Sequence, residues 1–99
     1  MVINQIKINK PWGYEITWTK TGSIVGKIFG IDRDQSLIRS KSVRVEESLL
    51  VVSGTLVITT DSDQVELKRG QSFNAAALKE YIFSAPFGDV EIIIVKTTN

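Results

Sequence analysis

Alternation of apolar and polar residues is the dominant signal along this chain. In "GYEITWT" the bulky residues Tyr14, Ile16 and Trp18 stand two apart, the period at which strand side chains return to one face. "SIVGKIFGI" is rich in β-branched and aromatic residues. "SLIRS", "ESLLVVS", "TLVITT", "QVELK", "EYIFSA" and "VEIIIVKT" follow at intervals of roughly 8–12 residues, as in sandwiches and barrels. The turn-forming stretches "KTGS", "DRDQ", "SG", "DSD", "KRGQ" and "PFGD" separate them. Only "NAAALKEY" has a helical look, and it is too short to hold a helix alone. The pattern predicts an all-β fold in a single domain over 1–99, closed into a barrel that removes exposed edges. Gly30, Gly54 and Gly70 are each placed at a strand end, where glycine tolerates positive φ. Ser53-Gly54, between two apolar runs, predicts a hairpin.

Composition narrows the chemistry more than the fold. Net charge is +1 and no basic run is present, so neither nucleic acid nor an anionic membrane is expected as a partner. The longest apolar runs, such as Ile92 to Val95, are far too short to span a bilayer as a helix. The opening "MVINQIKINK" lacks a signal-peptide pattern, and the chain has no cysteine, which together lead us to expect a cytoplasmic protein. There is also no histidine. The usual ligands of zinc, copper and non-haem iron are therefore missing, as are the usual proton shuttle and thiol nucleophile. Neither a metal nor another cofactor is expected. Any catalysis would fall to Asp, Glu, Lys, Tyr, Ser or Arg.

The order and spacing of these segments resemble the cupin superfamily, whose fold is a small double-stranded β-helix or jelly-roll barrel. The first cupin motif is commonly written G-x5-H-x-H-x3–4-E-x6-G. Counted back from Gly54, Glu47 falls on the glutamate and Ser42 and Ser40 on the two histidines, with Asp34 at the leading glycine. The second is commonly written G-x5-P-x-G-x2-H-x3-N. From Gly70 it places Ala76 at the proline, Leu78 at the glycine, Tyr81 at the histidine and Ala85 at the asparagine. Both motifs are thus in register but heavily substituted. A narrower likeness joins "KPWGYE", Lys10 to Glu15, and "VVSGTLVIT" to cupins related to mannose-6-phosphate isomerase. There an arginine precedes the glutamate; here Val45 takes that place and Arg44 comes one residue early.

Strand parity turns this resemblance into a candidate site. Ser40 and Ser42 share a face with Ile38; Glu47, Leu49 and Val51 share another; Tyr81 and Phe83 a third. In a cupin these faces converge inside the barrel. The candidate ligand-binding residues are Ser40, Ser42, Arg44, Glu47 and Tyr81, with Glu47 and Tyr81 as the catalytic candidates. One carboxylate, two hydroxyls and a phenol make a poor set for a divalent ion. The two serines form no triad, because no histidine exists to activate them. Arg39 and Lys41 alternate with the serines and are expected to face solvent. The structural reading of Glu47 is a partly buried carboxylate neutralised by hydrogen bonds or by Arg39, Lys41 or Arg44; the functional one is a base or substrate-binding group. Pro11 fixes the entry to a strand, Gly13 permits close backbone approach, and Trp12 either stacks on a sugar ring or plugs a barrel end or a dimer contact. The leading expectation is a non-metal cupin that binds a small sugar or sugar-phosphate-like molecule, or serves as a homodimeric structural module. The alternative is a metal-independent sugar isomerase or epimerase using Glu47 and Tyr81.

Overall fold

A computed structural model describes residues 6–39, 45–61, 63–75 and 80–98. They form ten strands: β1 (Ile6–Lys10), β2 (Gly13–Thr21), β3 (Ile24–Ile31), β4 (Ser36–Arg39), β5 (Val45–Ser53), β6 (Thr55–Thr59), β7 (Gln64–Lys68), β8 (Ser72–Ala75), β9 (Tyr81–Ser84) and β10 (Val90–Thr98). One sheet has six strands in the order β1-β2-β3-β10-β5-β8, and the other four in the order β4-β9-β6-β7. All pairings are antiparallel. No helix occurs among the described residues, so none is long and apolar enough to cross a membrane.

Alternation builds the core in most strands, but in β2 the alternating Tyr14, Ile16 and Trp18 lie on the outer face and Glu15 turns inward, opposite the buried Phe29. Phe29 and Ile31 of β3, Ile92 and Ile94 of β10, and Leu49 and Val51 of β5 turn inward from the larger sheet. Leu37, Leu56, Ile58 and Phe83 meet them from the smaller one. The eight expected segments are all strands. Two strands, β1 and β8, carry too little apolar content to announce themselves. Every residue of β1 is exposed, and β8 has only Phe73 and Ala75 turned inward. Asn74 and Ala75 of the helix-like "NAAALKEY" are strand; its residues 76–79 lie outside the described part.

Three expectations fail for topological reasons. The Ser53-Gly54 turn is not a hairpin, because β5 and β6 belong to different sheets. Gly54, with φ of 80°, is the corner at which the chain changes layer, and a Cβ there would lie 2.3 Å from the Asp89 carbonyl oxygen. Gly30 is not in a turn but inside β3 without positive φ, and the Tyr14 ring lies directly over it. The barrel is made of two stacked sheets, so β1, β8, β4 and β7 remain as edges among the described strands.

Tyr14 crosses Gly30 to donate its hydroxyl proton to Glu91 Oε2 at 2.8 Å. That hydrogen bond, then burial, then the negative charges of Glu91 and Asp32 raise the phenol above its ordinary pKa of 10.0. The bond exists only while the phenol is protonated. Its stabilisation is fully present below the ordinary value and is lost as pH rises through the raised one. Tyr14→Phe should cost about 1 kcal/mol at neutral pH, a value discounted for partial exposure. The gap to the unsubstituted protein should close in urea unfolding above pH 10; a gap that stays constant would refute the assignment.

Candidate functional site

The polar residues of the barrel interior gather toward one end, and the register shows why. Glu47 of β5 is directly opposite Lys96 of β10, and Lys27 of β3 is opposite Ile94. Glu15 of β2 is opposite Phe29, and Arg39 of β4 is opposite Tyr81. Directly opposed residues share a face. Glu47, Ile94, Phe29 and Tyr81 are all buried, so their charged partners also turn inward.

Arg39 therefore points the opposite way from the solvated position expected of it. Ile38, expected inside, is 62% exposed. The Arg39 guanidinium meets the Glu47 carboxylate and lies 5.0 Å from the Phe29 ring centroid. This contact joins the two sheets and neutralises the one buried acid among the described residues. It is one of the structural alternatives expected for Glu47. Arg39 Nε is buried without a hydrogen-bond partner among the described residues. Nearby, Lys27 Nζ donates to Glu15 Oε1 at 3.2 Å.

Tyr81 is buried as expected and meets Phe73 edge-on, with centroids 5.7 Å apart. Arg39 links the two catalytic candidates: it faces Glu47 with its side chain and stands opposite Tyr81 in the ladder. Ser40, Ser42 and Arg44 lie outside the described residues, as do Lys41, Ala76 and Leu78.

A groove of about 480 Å³ opens beside Arg39, lined by Lys10, Trp12, Glu15, Ser36 and Leu37 among others. Trp12 is held in its wall by a tilted ring contact with Phe29, centroids 5.2 Å apart. Gly13 makes this turn. A Cβ there would fall 1.9 Å from the Gly30 carbonyl oxygen at φ of +149°. A smaller recess of about 330 Å³ lies beyond Glu47, lined by Glu46, Ser48, Asn74 and Ala75.

Lys27, Lys96 and Glu15 are absent from the site residues expected from the sequence, and Arg39 entered there only as one alternative partner of Glu47. The signal was present for the lysines. Lys27 sits at the parity of Phe29 and Ile31, and Lys96 at that of Ile92 and Ile94. A lysine on the apolar face of a strand marks the point where the core gives way to a polar mouth.

Neither a protein-family model nor a curated protein matches the chain. Solved structures do. KdgF from Halomonas sp. is 15% identical over 98% of this chain and 89% of its own, with a TM-score of 0.82. An RmlC-like cupin from Shewanella frigidimarina NCIMB 400 is 13% identical over 96% and 85%, at 0.83. A cupin superfamily protein from Desulfitobacterium hafniense DCB-2 is 15% identical over 86% and 76%, at 0.76. The fold is therefore that of the cupins, a double-stranded β-helix or jelly-roll barrel.

Many barrels of this fold hold a metal among histidines and a glutamate. The described residues here do not fit one. Glu47, set at a ligand position only by the spacing resemblance, meets a guanidinium, whose positive charge would repel a divalent ion. No three acidic, histidine or cysteine side chains converge among the described residues.

Proposed function

We propose that this protein is a metal-independent cupin that binds a small sugar or sugar-phosphate-like molecule in the groove beside Arg39. The groove itself carries this reading. Its volume of about 480 Å³ suits a small ligand, and an aromatic face meets charged and hydroxyl groups around one space. Sugars are bound by that combination: a ring face stacks on indole while hydroxyls take the polar groups. Kinship with cupins related to mannose-6-phosphate isomerase belongs to the same reading, since "KPWGYE" supplies Lys10, Trp12 and Glu15 to the groove. Catalysis by Glu47 and Tyr81 has less support, because a guanidinium already engages the carboxylate that would act as base.

Titration with hexoses, hexose phosphates and uronates, followed by the indole N–H signals of the two tryptophans, tests this. Trp12 should shift, while Trp18, packed over Gly26 on the outer face, should not. Trp12→Ala should weaken binding about tenfold. A panel that moves neither Trp12 nor any groove residue at millimolar concentration would remove the proposal.

The same reading includes a homodimer in the cytoplasm. The outer face of the six-stranded sheet carries Ile16, Ile28, Ile93 and Val95, with Leu50 40% exposed, where a solvated face would be polar. A second copy is the occupant that this self-complementary apolar sheet suits. Light scattering should give twice the 11.0 kDa chain mass, and Leu50→Glu should give the single mass. A monomer before substitution would refute it.

A further inference from the structure

Strand β2 has its polarity inverted. Tyr14 and Ile16 lie on the outer face, while Gly13, Glu15 and Thr17 share the inner one. The inner face of such a sheet ordinarily belongs to the core, and a carboxylate there is costly unless its oxygens find donors. Glu15 stands opposite the buried Phe29 on one side and Ile8 on the other. Ile8 is 45% exposed, so the smaller sheet leaves this stretch of the inner face uncovered. The groove lies there, and Glu15 lines it. Lys27 Nζ donates to Glu15 Oε1, whereas Oε2 makes no hydrogen bond among the described residues.

The groove wall is rich in donors and short of acceptors. Lys10 and Arg39 only donate, the Ser36 hydroxyl does both, and Glu15 is the one carboxylate among the described lining residues. Every sugar hydroxyl both donates and accepts. A sugar seated in this wall can satisfy its oxygens on the cations, but its hydroxyl protons find their strongest acceptor in Glu15. From the inverted strand and this imbalance, we propose that Glu15 is the specificity-determining residue of the groove: its Oε2 accepts a hydrogen bond from one hydroxyl of a sugar ring stacked on Trp12. The assignment rests on the groove being the ligand site, and it adds which group reads the sugar's hydroxyl pattern. Lys27 holds Oε1 and so leaves Oε2 for the ring. A sugar lacking the hydroxyl at that carbon leaves a desolvated carboxylate oxygen unpaired, and it is rejected for that reason.

The test measures the binding of glucose and of 2-, 3-, 4- and 6-deoxyglucose by calorimetry, with the parent protein and with Glu15→Gln. One deoxy sugar should bind the parent about tenfold more weakly than glucose does. Glutamine keeps the shape of Glu15 and an oxygen for Lys27 but loses the charge. In Glu15→Gln, glucose itself should bind about tenfold more weakly, and that same deoxy sugar should come within about twofold of glucose. The penalties at the other carbons should stay as they were. Glu15→Gln combined with Lys27→Met removes both charges of the pair; it should give the same pattern and serves if glutamine alone impairs folding. A parent protein that binds all four deoxy sugars as it binds glucose overturns the assignment and leaves the groove reading standing. Deoxy penalties that are identical in the parent and the variants do the same. Absence of glucose binding also overturns the assignment, and the Trp12 titration with the wider panel then decides the groove reading by itself.

Discussion

Replacing Arg39 by methionine should destabilise the protein by about 3 kcal/mol, although the residue sits at the barrel mouth rather than in its apolar centre. The Glu47 side chain is only 4% exposed. Methionine keeps much of the arginine's bulk but leaves a buried carboxylate without its guanidinium, and the desolvation of that charge then goes uncompensated. For a domain of this size the melting temperature should fall by roughly 12–20 °C. Two further variants separate charge from packing. Arg39→Met combined with Glu47→Leu should return to within about 1 kcal/mol of the parent, because removing both members of a buried pair is far less costly than removing one. Urea unfolding of the full cycle measures the coupling. A double variant as unstable as Arg39→Met would show that the loss comes from the arginine's packing on Phe29, not from the ion pair.

Phe29→Ala should cost more, about 4 kcal/mol. Phe29 is fully buried, and its ring touches both walls of the groove: Trp12 at 5.2 Å and the Arg39 guanidinium at 5.0 Å. Truncation opens a cavity and also withdraws the aromatic face that the cation uses, worth about 1 kcal/mol. Phe29→Leu fills most of the space and should cost about 1 kcal/mol, yet it removes both ring contacts. Its Trp12 indole signal should move and its ligand affinity should fall. If Phe29→Leu leaves Trp12 where it was, Phe29 is a core residue only and does not seat the groove.

Much of the fold was legible because a strand's period of two is written directly in its residues. The buried sets Leu49/Val51, on the face of Glu47, and Tyr81/Phe83 follow from it, whereas in the unbroken run Ile92 to Val95 only pairing shows that Ile92 and Ile94 face in. It failed at β4. "SLIRS" offers Leu37 and Ile38 as adjacent apolar residues, and parity inside four residues does not say which of them faces in. With Ile38 inward Arg39 would face solvent; pairing of Leu37 with the buried Phe83 puts Arg39 inside, against Glu47. A one-residue change of face moved a charged side chain from solvent to the site.

By itself, the sequence determined the all-β architecture, the absence of histidine and cysteine chemistry, and the inward position of Glu47 and Tyr81. Composition and period are local properties, and these conclusions need nothing else. Only the tertiary structure decided that Ser53-Gly54 is a corner between sheets, that Arg39 meets Glu47, and that Lys27, Lys96 and Glu15 join them at one end of the barrel. Those facts depend on which strand lies beside which and in what register. Strand pairing joins residues far apart in the chain, and no local pattern records it.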